Sequence, residues 1–97
     1  MLPEIEHLAA EGRFQLRIDG ALGSLWAVID YTLRDGVMAI HHTGVPPELE
    51  GQGIAGRLTK AALDHAQAHG WKVSPRCSYA AAYMRRHPET QPLLARD

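Results

Sequence analysis

Apolar and polar residues alternate along the first half of the chain and then change period. Phe14, Leu16 and Ile18 alternate with Arg13, Gln15 and Arg17, which predicts a strand over 13–18 with one buried face. Asp19-Gly20 reads as a tight turn. Leu25 to Leu33 carries Trp26, Val28, Ile29, Tyr31 and Thr32, the β-branched and aromatic residues of a second strand. Arg34-Asp35-Gly36 turns the chain again, and Val37 to Thr43 is the third strand of an antiparallel meander. Glu4 to Glu11 fits either a helical turn or a loop.

From Gly53 the period becomes helical. Ile54, Ala55, Leu58, Ala61, Ala62 and Ala66 share one arc, while Arg57, Lys60, Asp64 and Gln67 share the opposite one. The helix predicted over Gly53 to His69 ends at Gly70, where a C-terminal glycine cap belongs. Trp71 to Ser74 is a short strand stopped by Pro75. Ser78 is the expected N-cap of a second helix running to about Arg86, with Pro88 ending it. The strand from Val37, the helix and the strand at Trp71 make one β-α-β unit, for which a right-handed crossover and parallel strands are expected. The predicted fold is α/β (α+β): a mixed sheet with an antiparallel N-terminal meander, a β-α-β unit and a C-terminal helix. One domain is expected over 1–97, with its core at 13–88 and residues 89–97 as a tail, of which Pro92 to Asp97 would be a loose extension.

Composition narrows the function classes by exclusion. The chain has 97 residues, a formal net charge of -1 and a single cysteine, Cys77. No basic stripe marks a nucleic-acid surface. An intramolecular disulfide is impossible, so the chain reads as reduced and cytoplasmic. No apolar run is long enough to span a bilayer, and the N-terminal residues lack the pattern of a signal peptide. The His residues show no HExxH spacing, so no metal site is expected. A monomer or weak dimer is the expected state.

The stretch Val45-Pro46-Pro47-Glu48-Leu49-Glu50-Gly51-Gln52-Gly53-Ile54-Ala55-Gly56 joins a strand to a helix and places three glycines at the helix start. Glycines admit a ligand close to the backbone, and the first helical N–H groups lie at the positive end of the macrodipole. Together they suit a phosphate or pyrophosphate. Gly51 to Gly56 matches the dinucleotide fingerprint G-x-G-x-x-G in letters only. Pro46-Pro47 separate it from its strand, and Trp71 to Arg76 holds no acidic residue. It also has P-loop spacing, but Arg57-Leu58 replaces the Lys-Ser/Thr pair.

Glu50-Gly51-Gln52-Gly53-Ile54-Ala55 resembles the GNAT acetyl-CoA motif Gln/Arg-x-x-Gly-x-Gly/Ala, with Glu50 departing from it. His42-Thr43-Gly44-Val45-Pro46, Pro75-Arg76-Cys77-Ser78-Tyr79 and Arg86-His87-Pro88-Glu89 follow in the same order and at compatible spacing as in the minimal GNAT-like acetyltransferases of bacteria and plants. The resemblance runs from about Phe14 to Pro88. It implies acetyl-CoA or coenzyme A as co-substrate, transfer of acetyl to a small-molecule or protein amine, and pyrophosphate contacts among Val45, Gly51, Gln52, Gly53, Ile54, Ala55 and Gly56. It places Cys77 and His42 near the thioester, with His42 preferred as general base.

Acetyl transfer to an amine needs a base, donors for the developing oxyanion, and an acid or stabiliser for the departing thiolate. A helix N-terminus and neighbouring Arg76 favour the thiolate of Cys77. Cys77 then either accepts the acetyl group or tunes the leaving sulfur; both routes stay open. His41 and His42, adjacent on a strand, point to opposite faces. Gly44 is expected to permit a backbone distortion that aims an N–H at the thioester. Tyr79 or Tyr83, one helical turn apart, could protonate the thiolate. His65, on the apolar arc, reads as a satisfied core histidine. A CoA-binding module without turnover is the alternative to an enzyme, because the Glu50 carboxylate opposes an anion. A small interaction domain with no ligand is a third reading.

Overall fold

The computed structural model describes residues 4–20 and 23–95. Five strands form one sheet in the order β1-β2-β3-β4-β5. They are β1 (Ile5–Leu8), β2 (Arg13–Gly20), β3 (Gly23–Arg34), β4 (Val37–Gly44) and β5 (Lys72–Pro75). The first four pair antiparallel, and β4 pairs with β5 in parallel. Helix α1 (Ile54–Ala68) makes the crossover, and α2 (Ser78–Arg86) follows β5.

The alternation read in the sequence sets the layers. Phe14, Leu16, Ala27, Ile29, Tyr31, Met38, Ile40 and Val73 are buried and share one sheet face through their cross-strand pairings. Ile54, Leu58, Ala62, Leu63 and Ala66 of α1 and Ala80, Tyr83 and Met84 of α2 close over that face. The opposite face carries Arg13, Gln15, Arg17, Trp26, Asp30 and Thr32, none of them fully buried. Thr59, the fully buried polar residue of α1, donates its hydroxyl to the Ala55 carbonyl at 2.8 Å, so its burial leaves no unmet group.

Two turns form as their residues require. Asp35 and Gly36 both take positive φ (52° and 75°), the geometry of a two-residue hairpin loop between Arg34 and Val37. Gly70 takes φ 71° beyond α1, with the Gly70 and Trp71 N–H groups bonding back to Gln67 and Ala66.

Several expectations are corrected. The segment from Glu4 to Glu11 is neither a helical turn nor a loop alone: Ile5–Leu8 adds a fourth antiparallel strand, and a 3-10 turn follows at Ala9–Glu11. Asp19-Gly20 is not the turn but the end of β2, paired to Ser24 and Gly23; the connecting residues 21–22 lie outside the described residues. β5 starts at Lys72 rather than Trp71 and includes Pro75 as its last residue, opposite Ile40. The N-cap of α2 is Cys77 rather than Ser78. The expected loose extension is docked. Residues Pro88–Leu93 form a 3-10 helix, Leu94 bridges to Val73, and the Lys72 ammonium donates to the Pro92 carbonyl at 2.9 Å. Residues 96–97 of that extension lie outside the described residues.

Candidate active site

The glycine loop becomes the wall of a cleft. After β4 the chain makes a 3-10 turn at Pro47–Leu49 and reaches α1 through Gly51 (φ 83°) and Gly53 (φ 75°), backbone angles that L side chains adopt only with strain. The first bond of α1 runs from the Arg57 N–H to the Gly53 carbonyl at 3.0 Å. The N–H groups ahead of it, on Ile54, Ala55 and Gly56, therefore stand at the positive end of a 15-residue helix without intrahelical partners. A Cβ placed on Gly51 or Gly53 meets nothing within 4 Å, so the space beside the loop is open. The cleft is about 410 Å³, lined by Thr43, Val45, Leu49, Glu50, Gly51, the stretch from Gly53 to Gly56 and Tyr79. Leu49 is buried and holds the loop down, while the Glu50 carboxylate is exposed at the rim.

The other wall is the start of α2. Pairing of β4 with β5 ends at Ile40 opposite Pro75, yet β4 runs on to Gly44. Both Arg76 and Cys77 donate their N–H to the Ile40 carbonyl, at 2.9 and 3.0 Å, and the chain then turns into α2. This divergence opens the sheet edge beside residues 41–44. Cys77 is half-buried there. Its sulfur accepts from the Ala80 N–H at 3.4 Å, the N-cap bond of α2, and lies 3.4 Å from the Thr43 hydroxyl. The Tyr79 hydroxyl lies 3.6 Å from where a Cβ on Gly56 would stand, so the phenol spans from α2 to the first turn of α1.

Tyr83 neighbours Tyr79, with ring centroids 6.5 Å apart, but does not line the cleft. It is buried, stacked on His87 with ring centroids 3.9 Å apart, and burial raises its pKa. Gln52 is exposed on the loop but outside the cleft lining.

Thr43 is the residue that sequence reasoning missed, and a β-bulge explains why. Asp30 pairs with His42 but Tyr31 pairs with Ile40, which makes His41 the extra residue of β4. The bulge inverts the alternation beyond it. Thr43, opposite buried Ile29, faces the helices and the cleft; His42, opposite Asp30, faces the helix-free side. His42 is exposed and lies against Gly44: a Cβ there would stand 2.8 Å from its Nε2. The distortion expected at Gly44 is therefore at His41, and Gly44 instead provides the seat for the His42 ring. His41 donates to or accepts from the Thr32 hydroxyl at 2.8 Å. Tyr79, Thr43 and the glycine loop thus line one cleft, Cys77 stands next to it against Thr43, and His42 stands on the other side of the strand that bounds it. Two adjacent histidines at a strand end were a signal that the alternation could slip, but nothing in the residue types says by how much.

Among the described residues no cluster of His, Cys, Asp and Glu could hold a metal, and no helix is long and apolar enough to cross a membrane.

The chain is similar to several known proteins. Protein NATD1 of chicken (Gallus gallus) is 30% identical over 88 residues, covering 91% of this chain and 79% of the relative. Protein NATD1 of human (Homo sapiens) is 30% identical over 87 residues, covering 90% and 76%. The solution structure of a GCN5-like protein from Staphylococcus aureus superposes with a TM-score of 0.73 at 32% identity, covering 95% of this chain and 87% of that one. The family model of the GCN5-related N-acetyltransferases matches residues 13–93, from β2 to the 3-10 helix after α2. The chain belongs to the GCN5-related N-acetyltransferase family.

Proposed function

We propose that the chain transfers an acetyl group from acetyl-CoA to an amine, with the donor's pyrophosphate on the first turn of α1 and its thioester beside Thr43 and Cys77. The observation that carries the reading is the cleft in which the glycine loop, Thr43 and Tyr79 meet, with the Cys77 sulfur 3.4 Å from the Thr43 hydroxyl. Three N–H groups at a helix start suit a pyrophosphate without any lysine or metal. The divergence of β4 from β5 leaves room for an extended pantetheine arm to run from that loop towards Cys77.

The chemistry then follows from position. The amine nitrogen attacks the thioester carbonyl carbon, the carbon–sulfur bond breaks, and the CoA thiolate takes a proton from the Tyr79 phenol or stays stabilised at the start of α2. In a two-step variant the Cys77 sulfur attacks first, CoA departs, and the amine displaces Cys77 from its own thioester. An amine arriving from the helix-free face would meet His42, which takes its proton as general base.

Incubation with acetyl-CoA and a panel of amines, following release of free CoA thiol, tests the reading. Amine-dependent release supports it. Saturable CoA binding with no release from any amine would favour a CoA-binding module without turnover, the alternative that the Glu50 carboxylate at the rim favours.

Glu50 has a predicted effect of its own. Glu50→Gln removes a negative charge at the cleft rim and is expected to tighten CoA binding by about two- to fivefold, the scale of one exposed charge in water. The gain should shrink at high salt. Weaker binding in a calorimetric titration of this variant would make Glu50 a ligand contact.

A further inference from the structure

Three of the six histidines gather far from the cleft, where the edge strand β1 meets the C-terminal end of α1. His7 of β1 stacks on Phe14, with ring centroids 4.0 Å apart and planes 3° from parallel. Its Nε2 lies 2.5 Å from the Tyr31 hydroxyl. The His65 ring stands 4.4 Å from His7 and 4.1 Å from His69, and all three are flanked by Trp71 or Phe14. His69 in turn has its Nδ1 2.9 Å from the His65 carbonyl. These rings line one depression of about 640 Å³ with Tyr31, Thr32, Leu33, Trp71, Ala9, Ala10, Glu11 and Gly12.

We propose that this cluster is a pH-sensitive clasp that holds β1 against α1 while its imidazoles are neutral and releases β1 when they take up protons. Neutral imidazoles pack as flat aromatic rings; two imidazolium rings at these separations repel each other in a site only partly open to water. The titratable and charged groups around His7 and His65 are His69 on α1, Tyr31 on β3 and Glu11 in the 3-10 turn. Tyr31 stays protonated, its pKa raised by burial. Glu11, the one carboxylate lining the depression, is exposed and contributes to neither histidine's shift. The pKa of His7 is lowered by desolvation and then by His69, and that of His65 by desolvation and then by His7 and His69.

The strand is built to respond. β1 has four residues and pairs with β2 alone. Its core-facing side chains are the part-buried Ile5 and His7, and His7 makes its ring contact with α1, whereas β2 and β3 are held by the buried residues Phe14, Leu16, Ala27 and Ile29. The helix is about 22 Å long at 1.5 Å per residue. The clasp therefore lies at its end remote from the cleft, and its behaviour stands or falls apart from the proposed function.

The sign is definite. Both folded-state pKa values lie below the unfolded one, so the unfolded or released chain binds more protons as pH falls below 6.5. The stabilisation is whole above that pH and is lost as pH falls towards the lowered values. Amide hydrogen exchange with the full chain, expressed as protection factors, reads this strand by strand between pH 7.5 and 5.0. Protection over Ile5–Leu8 should fall about tenfold or more while β3 keeps its protection. In His7→Phe, which retains a flat ring on Phe14, the fall should disappear. Unchanged protection of Ile5–Leu8 in the wild type would overturn the clasp. A side-chain NMR titration of the wild type decides independently of the variant: His7 and His65 should titrate below 6.5, and values at or above it would overturn the proposal.

Discussion

Gly53→Asp is expected to abolish measurable CoA binding. The N-cap position of α1 faces open cleft, and a carboxylate there would stand where the account seats a diphosphate. Two unit charges about 4 Å apart repel by about 4 kcal/mol at an effective dielectric of 20, which weakens binding by about a thousandfold. The φ of 75° adds strain of about 1 kcal/mol for a residue with a Cβ, less for Asp than for a branched residue. Gly53→Ala carries that strain without the charge. Calorimetric titration should therefore rank wild type, Gly53→Ala and Gly53→Asp in that order, with the larger step at the second substitution. Equal losses in both variants would assign the effect to backbone geometry and remove the anion from the argument.

Cys77 carries the second large effect, and its dual position allows chemistry to be separated from structure. The sulfur is both the N-cap acceptor of α2 and the neighbour of Thr43 and the cleft. Cys77→Ser keeps an acceptor for the Ala80 N–H, and serine is the better cap. Its melting temperature should match or exceed that of the wild type. Cys77→Ala removes the cap and should lose about 1 kcal/mol, or about 4–8 °C in a domain of this size. Turnover should fall in both by about a hundredfold or more, because neither side chain offers a sulfur nucleophile beside the thioester. Mass spectrometry after exposure to acetyl-CoA without amine then divides the two routes. An acetyl group mapped to Cys77 and discharged by amine supports the two-step route; its absence leaves direct transfer. Full activity in Cys77→Ser would reduce Cys77 to a capping and packing residue.

The sequence made the second half of the fold more legible than the first. Ile54, Leu58, Ala62 and Ala66 recur at a spacing only a helix uses, and Gly70 marks its end; all five behave as that pattern requires. The entry into that helix was legible too, since Gly51 and Gly53 supply the positive φ values of the turn before it. β1 was not, because Ile5-Glu6-His7-Leu8 is too short for a period to show, and one of its two core-facing residues, His7, is polar. The N-cap of α2 was misplaced by one residue because Cys77 and Ser78 both carry an acceptor, and only the packing of Cys77 against Thr43 decides between them. The placement of His42 turned on the bulge at His41. A single extra residue reverses which side chains face the core, and no residue type announces it. The sequence presents His65 as a satisfied core histidine without naming its partners, because His7 and Trp71 reach it only through the tertiary fold.

The most direct test of the account is a backbone amide NMR titration of the wild-type chain with CoA. The account predicts saturating shifts, largest at Gly51, Gly53, Ile54, Ala55 and Gly56, with a second group at Thr43, Cys77 and Tyr79 where the thiol end would lie. No saturable shift at millimolar CoA, or shifts confined to residues outside this cleft, would contradict it.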